Sequence, residues 1–237
     1  MTVGTVRLDP TSVGYRAKYY DLDTDAGRRA AWKDYWWEDH AFLREWIRNA
    51  HQISPRLWRS NQPSPDQLRA WRDGHGIRTV INLRGDTPAS FTALEKRACA
   101  DLGLDLHFLK IESRGAPDPV LLKEARDLFA TITYPALIHC KSGADRAGLI
   151  SVFYLYCIEG VPLAEARQQL SNRYLHVSAG KTGILGFFWD EFARAQAATG
   201  VDFWTWLDRD YDREDLKARF KPTPVGNWLV DRVLGRE

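Results

Sequence analysis

The sequence of 237 residues has few cysteines, no long apolar run and almost no net charge. Its three cysteines, Cys99, Cys140 and Cys157, are an odd number at wide spacing, which suits a reducing compartment and excludes a disulfide scaffold. The longest nearly uninterrupted apolar stretch, residues 149–158, is far shorter than the roughly 20 residues of a membrane span. Residues 1–9 lack the apolar segment of a signal peptide. We therefore expect a cytoplasmic protein.

Charges of opposite sign nearly cancel along the chain. Lys and Arg together number 33 and Asp and Glu number 31, which leaves a formal charge of +2. No overall basic field exists to attract nucleic acid, so we expect no nucleic-acid partner. With 44% hydrophobic and 27% charged residues, the composition is that of a folded globular protein and excludes disorder.

The middle of the sequence alternates strand-like and helix-like patterns, which predicts an α/β fold. The predicted strands are residues 57–59 at an edge of the sheet, 79–83, 104–111 and 136–139, and the predicted helices between them are residues 65–72, 89–102 and 119–132. Such alternation is typical of a central, mostly parallel sheet, here of four to five strands, flanked by helices. Ligands of such sheets bind at the carboxyl ends of the strands. Further helices are predicted after residue 145, at 162–173, at 187–198 and at 203–220.

Two polar-aromatic flanks enclose this middle segment. We predict an N-terminal helical arm at residues 1–53, a catalytic domain at 54–200 and a C-terminal helical extension at 201–237.

An aromatic stripe in the first flank predicts one long amphipathic helix capped by Thr24 or Asp25. The apolar residues at helical spacing are Trp32, Trp36, Leu43 and Ile47. A stripe of this kind usually packs on its own domain, and peripheral contact with a membrane or a partner is the alternative.

One segment of the middle region carries chemistry. After the strand at 136–139 the chain reads Cys140-Lys141-Ser142-Gly143-Ala144-Asp145-Arg146 and runs into an apolar helix. A strand, a loop and a helix in this order form a phosphate cradle, because successive amides and the helix N-terminus both favour an anion. Gly143 allows a tight curve, and the guanidinium of Arg146 matches two phosphate oxygens.

The same positive environment favours the thiolate of Cys140. A thiolate beneath a bound phosphoryl group can attack phosphorus, expel an alcohol or phenol, and leave a cysteinyl-phosphate that water hydrolyses. This chemistry needs no metal and no cofactor.

His139-Cys140, five residues and then Arg146 resemble the active-site signature of the cysteine-dependent protein tyrosine phosphatase superfamily. The closer resemblance is to atypical dual-specificity phosphatases of the bacterial, plant and fungal kind. It extends from residues 57–63 through 80–84 to about Tyr174. The resemblance implies that Cys140 is the nucleophile, that Arg146 clamps the transition state, and that His139 supports the loop by hydrogen bonding to its backbone. Lys141, Ser142, Gly143, Ala144, Asp145 and Arg146 are then the phosphate-binding residues.

The chain departs from the family pattern at Ala147, and its general acid is less clear than its nucleophile. The family usually has Ser or Thr where this chain has Ala147, and that hydroxyl helps the thiolate leave, so slower turnover is expected. Asp118 is the best-placed carboxylate for protonating the leaving group. Asp118 followed by Pro119 is equally typical of a helix N-cap. Glu112 is the reserve candidate.

The substrate class stays open between phosphoprotein and a polyanionic phospholipid or inositol phosphate, for which Lys141, Arg84 and Arg114 would add positive charge. His176 and Lys181 are expected in a solvated loop, and a position bordering the active site is the alternative. The alternatives to a phosphatase are a phosphate-binding scaffold with little turnover and a sulfurtransferase, whose active loop is commonly shorter.

Overall fold

A five-stranded sheet lies at the centre of the computed structural model, which describes residues 18–223. Its strands are β1 (His51–Gln52), β2 (Leu57–Asn61), β3 (Thr79–Asn82), β4 (Asp105–Phe108) and β5 (Ala136–Cys140). They are ordered β1-β2-β5-β3-β4, with β1 antiparallel to β2 and the other pairs parallel. The predicted α/β class with a mostly parallel sheet is confirmed. The prediction of an edge strand at 57–59 is wrong, because β1 covers that side of β2.

Helices flank both faces of the sheet. They are α1 (Asp25–Trp37), α2 (Ala41–Trp46), α3 (Pro65–His75), α4 (Ser90–Leu102), α5 (Pro119–Thr131), α6 (Asp145–Phe153), α7 (Leu163–Ala166), α8 (Ile184–Thr199), α9 (Phe203–Arg209) and α10 (Arg213–Arg219). The last turn of α6 continues as a short π-helix, Tyr154–Ile158.

Strand alternation divides the core between the two faces of the sheet. Ile81, Ile138 and Cys140 belong to a large cluster that α5, α6, α8 and α9 complete. Val80 and Leu137 belong to a smaller cluster with α3 and α4. The thiol of Cys140 therefore lies on the same face of the sheet as α6.

The arm differs from its prediction. Thr24 caps α1 as expected, accepting a hydrogen bond from the Gly27 amide. The single long helix does not form, because the chain turns at His40, whose φ of 56° is left-handed, and resumes as α2. Trp32 and Trp36 pack on a cluster that includes Phe91 of α4, as the stripe predicted.

The segment 203–220, predicted as one helix, likewise forms two helices, because Asp212 is the N-cap at which α10 begins. The predicted helix at 162–173 shortens to α7 followed by 3₁₀ turns. The domain boundaries stay predictions. Strand β1 of the arm joins the sheet, and Phe203 and Trp206 join the large core cluster.

A buried ion cluster fastens the arm to the body. Asp39, between α1 and α2, has Oδ2 2.6 Å from Arg44 Nη2 and Oδ1 2.8 Å from Arg84 Nη2. Lys141 Nζ lies 3.9 Å from the same Oδ1. Burial acts to raise the pKa of Asp39, but the charges of Arg84, Arg44 and Lys141 outweigh it and hold that pKa below its ordinary value of 3.8.

Asp39→Asn should destabilise the fold by about 3–5 kcal/mol at neutral pH, because it leaves buried cations without a counter-ion. Urea denaturation measures this loss. Since the pKa of Asp39 is lowered by folding, its contribution is present above the ordinary value of 3.8 and disappears as the pH falls through the folded value. The difference between wild type and variant should therefore shrink in acid.

Asp101→Asn is the matched control, because Asp101 is an exposed partner of Arg97. That change should cost less than about 1 kcal/mol. Equal stability of Asp39→Asn and wild type at neutral pH would contradict the role given to the cluster.

Candidate active site

The predicted loop lies at the carboxyl edge of the parallel strands. Cys140 ends β5 beside Asn61 of β2, and the chain then turns through residues 141–144 into α6. Cys140 is buried, and no cysteine in the described part of the chain forms a disulfide. The other thiols lie in different surroundings: burial, with the nearby Glu95, raises the pKa of Cys99 to about 12, and burial also raises the pKa of Cys157. Those two thiols stay protonated at neutral pH.

Gly143 meets two separate constraints in the loop. Its φ is +70°, a conformation that side chains rarely adopt. A Cβ at this position would also lie 2.6 Å from the backbone nitrogen of Asn61. The loop thus presses directly on the end of β2, and only glycine fits there.

A buried arginine holds the loop from beneath. Arg59 of β2 donates from Nη2 to the carbonyl oxygens of Gly143 (2.6 Å) and Ala144 (2.9 Å). Its Nη1 donates to the backbone oxygen of Gln169 at 2.8 Å, and its guanidinium lies 4.3 Å from the centre of the Tyr174 ring. Burial lowers the pKa of Arg59 to about 10, with Cys140 and Asp145 among the groups opposing that shift, so Arg59 is cationic at neutral pH.

The arm supplies a second contact to the loop. The buried side chain of Asn49 donates from Nδ2 to the carbonyl oxygens of Ser142 (3.0 Å) and Tyr174 (2.9 Å). Three consecutive loop carbonyls, those of Ser142, Gly143 and Ala144, therefore point toward Asn49 or Arg59.

The orientation of those carbonyls fixes the amides. In a planar trans peptide the N–H points opposite to the C=O, so the amides of Gly143, Ala144 and Asp145 face away from Asn49 and Arg59. The amides of Ser142, Gly143 and Ala144 donate to no backbone carbonyl among residues 18–223. Successive amides directed to one side and followed by a helix N-terminus are an arrangement that favours an anion.

Arg146 lies in the first turn of α6, and its guanidinium has no partner among the described residues. It makes no hydrogen bond or ion pair with any residue between 18 and 223, and its Nε is buried. Burial of a guanidinium nitrogen without an acceptor is costly, so this group is suited to an anion that enters the loop. The first turn of α6, which holds Arg146, comes directly after the loop.

Two charged residues of the loop, Lys141 and Asp145, contact other side chains of the same protein. Lys141 belongs to the Asp39 cluster, and the buried carboxylate of Asp145 has Oδ1 2.8 Å from His176 Nδ1. His176 is therefore buried, and the expectation of a solvated loop is wrong for it, although Lys181 is exposed. The carboxylate of Asp145 is therefore engaged by the protein itself.

The side chain of His139 does not make the contact with the loop backbone that the resemblance implied. Its Nε2 is 2.5 Å from Glu95 Oε1, and Asn82 Nδ2 donates to the other oxygen of Glu95 at 2.5 Å. Neither imidazole nitrogen has a hydrogen bond of normal geometry among the described residues. The expected support of the loop backbone by this ring is thus replaced by a close contact with Glu95.

Asp118 is a helix cap in this structure. Its Oδ1 accepts from the Val120 amide at 2.9 Å, and its Oδ2 lies 3.7 Å from Arg213 Nη1 of α10. Arg213 also approaches Glu112 Oε2 at 3.1 Å, so one arginine contacts both candidate acids. The side chain of Asp118 is 33% exposed, which leaves it accessible from solvent.

Ala147 is buried and brings no hydroxyl to the loop. One turn later, Ser151 donates from Oγ to the Ala147 carbonyl at 2.6 Å.

A groove of about 620 Å³ lies between the arm and α3 and reaches Ser60 and Asn61 of β2. Its walls do not include Cys140 or the rest of the loop. The groove and the loop at residues 140–146 are therefore separate features of this side of the sheet. Within residues 18–223 we find no group of His, Cys, Asp or Glu that could hold a metal ion.

Solved structures of other proteins share the fold. A crystal structure of P. aeruginosa TpbA aligns with 65% of this chain and 92% of its own, at 19% identity and a TM-score of 0.51. The core catalytic domain of SIW14, a PP-IP phosphatase from S. cerevisiae, aligns with 64% and 93% at 16% identity and a TM-score of 0.48. No protein-family model matches the chain, and no curated protein matches it. The likeness to TpbA confirms the fold that the resemblance implied.

Gly143→Ala should destroy the loop, because the added methyl group meets both a left-handed φ and the Asn61 backbone. We expect lower thermal stability and loss of stabilisation by added phosphate. Gly186→Ala is the control, since a Cβ there meets no atom within 4 Å and Gly186 lies inside α8. It should preserve or slightly raise stability. Normal phosphate stabilisation of Gly143→Ala would disprove this account of the loop.

Proposed function

We propose that the chain is a cysteine-dependent phosphatase that hydrolyses phosphomonoesters through a cysteinyl-phosphate on Cys140 and acts in the cytoplasm. The observation that carries the proposal is the form of the loop at residues 140–146. Three consecutive carbonyls are taken by Asn49 and Arg59, so the amides of Gly143 and Ala144 on the other side are left for an anion. Arg146 follows in the first turn of α6, and its buried Nε has no acceptor in residues 18–223.

The proposed reaction has two displacements. The Cys140 thiolate forms a sulfur–phosphorus bond while the phosphorus–oxygen bond to the leaving group breaks, and the departing oxygen takes a proton. Water then attacks phosphorus, which breaks the sulfur–phosphorus bond and releases inorganic phosphate. The loop amides and Arg146 bind the non-bridging oxygens through both steps, so neither step uses a metal or cofactor.

Several positive groups stabilise the thiolate and the phosphoryl group together. The N-terminus of α6 carries a partial positive charge. The charge of Arg59 lies close enough to interact with Cys140. Because both groups are fixed before substrate binds, little reorganisation is needed during the reaction.

Substrates with several negative charges fit the surroundings of the loop. Arg44, Arg84 and Lys141 surround the single carboxylate of Asp39, so this cluster keeps a positive surplus. That surplus supports a polyanionic phospholipid or inositol phosphate, and a phosphorylated protein is the other class. Rates on a panel of phosphopeptides, phosphoinositides and inositol pyrophosphates would separate these classes.

A phosphate-binding module with little turnover is the second candidate. It is favoured by Ala147, which lacks the usual hydroxyl, and by the contact of Arg213 with both candidate acids. Trapping a labelled phosphocysteine at acid quench distinguishes the two functions. An enzyme gives a transient label that disappears at the rate of turnover, whereas a module with little turnover gives either no label or a label that persists.

Cys140→Ser should abolish hydrolysis of p-nitrophenyl phosphate, since the hydroxyl is far less nucleophilic than the thiolate. The variant should keep its fold, because serine is close in size to cysteine. Cys157→Ser is the matched control and should retain activity, since its thiol is kept protonated by burial. A wild-type rate for Cys140→Ser would rule out the proposed mechanism.

Asp118→Asn tests the proposed general acid. Asparagine is also a good N-cap, so stability should change little. Loss of the acid should lower kcat by roughly 10²–10⁴ for an alkyl phosphate, whose poor leaving group needs the proton, and much less for an aryl phosphate. The basic limb of the pH profile should disappear with it.

Asp212→Asn is the corresponding control, because Asp212 caps α10 in the same way. Unchanged rates on both substrates in Asp118→Asn would restrict Asp118 to its capping role.

A further inference from the structure

Large apolar side chains are exposed where α1 meets α2. This aromatic corner consists of Trp37 (70% exposed), Phe42 (36%), Trp46 (88%) and Ile47 (57%). The rings of Trp37 and Phe42 lie 6.1 Å apart. Phe42 and Trp46 are four residues apart in α2, which puts them on one face of that helix, and Ile47 follows directly. Scattered single apolar residues are normal on a surface, but a contiguous group of this size marks a contact surface.

Cations adjoin the aromatic corner. Arg29, Lys33 and Trp37 follow each other at intervals of four residues on one face of α1, and Arg48 comes directly after Ile47. Arg29, Lys33 and Arg48 are exposed and form no ion pair within residues 18–223. The carboxylates of Asp34 and Glu38 share one cation, Lys18, which leaves one negative charge on this group. The sequence of α2 adds one acidic residue, Glu45, so the three cations exceed these two negative charges by one.

The chemistry of this surface matches an anionic lipid interface. Tryptophan rings favour the headgroup region, and neighbouring Lys and Arg are attracted to anionic lipids. None of the helices within residues 18–223 is long and apolar enough to span a bilayer. Contact would therefore be peripheral, with the rings inserted at the boundary between headgroups and acyl chains.

We propose that the aromatic corner, with Arg29, Lys33 and Arg48 around it, docks the protein on an anionic lipid bilayer. The corner is joined to the candidate active site through the backbone. Asn61 Nδ2 donates to the Ile47 carbonyl at 3.0 Å, and Asn61 lies beside Cys140 in the sheet. Docking would hold the loop at the membrane surface, a consequence that rests on the proposed phosphatase function.

Vesicle flotation with the full chain tests the docking. We expect binding to phosphatidylcholine vesicles containing phosphatidylserine at about one part in three, weak binding to phosphatidylcholine alone, and loss of binding as salt rises. Trp37→Gln combined with Trp46→Gln should weaken binding at least about tenfold. Val120→Gln changes an exposed apolar residue of α5 and should leave binding unchanged.

A second double variant, with its own control, tests how much the cations contribute to binding. Arg29→Gln combined with Lys33→Gln should weaken binding to the anionic vesicles by about an order of magnitude and reduce its dependence on salt. Arg56→Gln combined with Arg78→Gln removes the same charge from exposed positions that precede β2 and β3, at the opposite edge of the sheet. That control should bind like wild type.

Failure of wild type to bind the anionic vesicles better than neutral ones would overturn the proposal. Self-association that the Trp37 and Trp46 substitutions abolish, without vesicle binding, would assign the corner to contact between copies of the chain instead. The test does not depend on catalysis, because Cys140→Ser should bind vesicles like wild type. Hydrolysis of p-nitrophenyl phosphate in solution should be unchanged in the Trp37 and Trp46 variants.

Discussion

The fork of hydrogen bonds from Arg59 to the loop is the interaction on which the candidate site depends. A guanidinium has five donors in a rigid plane, so it can hold two neighbouring carbonyls in one orientation. Arg59 holds those of Gly143 and Ala144, while Asn49 holds that of Ser142. Peptide planarity transfers this constraint to the amides on the other side. The backbone of the loop is thereby held in one conformation by the protein alone, as the proposed anion site requires.

The arm belongs to this construction as much as the sheet does. Asn49 reaches the loop directly, and Asp39 reaches it through Lys141. Both residues are buried and lie more than 90 residues from the loop in the sequence, so the contacts form only when the whole domain has folded. The shape of the loop is consequently coupled to the position of α1 and α2, and with them to the exposed aromatic corner.

Local patterns predicted the parts of the fold that depend on neighbouring residues. Apolar runs located β3 and β5, and the segment from Cys140 to Arg146 located the loop, because strand, turn and helix signals are contiguous there. The break at His40 was missed since hydrophobic periodicity continues across it. Arg59 and Asn49 were missed as site residues because their partners are distant in the sequence, and for the same reason His176 could be named only as an alternative. For Arg59, the one available signal in the sequence was that it is a lone arginine within a predicted strand.

The four arginines of the site differ in whether the protein supplies hydrogen-bond acceptors for their guanidinium groups. Arg44, Arg59 and Arg84 are buried and have acceptors for their Nη atoms, although Nε of Arg44 and of Arg59 has none, and each of the three fixes the position of other groups. Arg146 alone among these four has no acceptor in the described chain. A buried guanidinium nitrogen without an acceptor raises the free energy of the empty site, and a bound dianion removes that penalty. Ligand binding should therefore stabilise the folded protein, since the unfolded chain offers no comparable arrangement of Arg146 and loop amides.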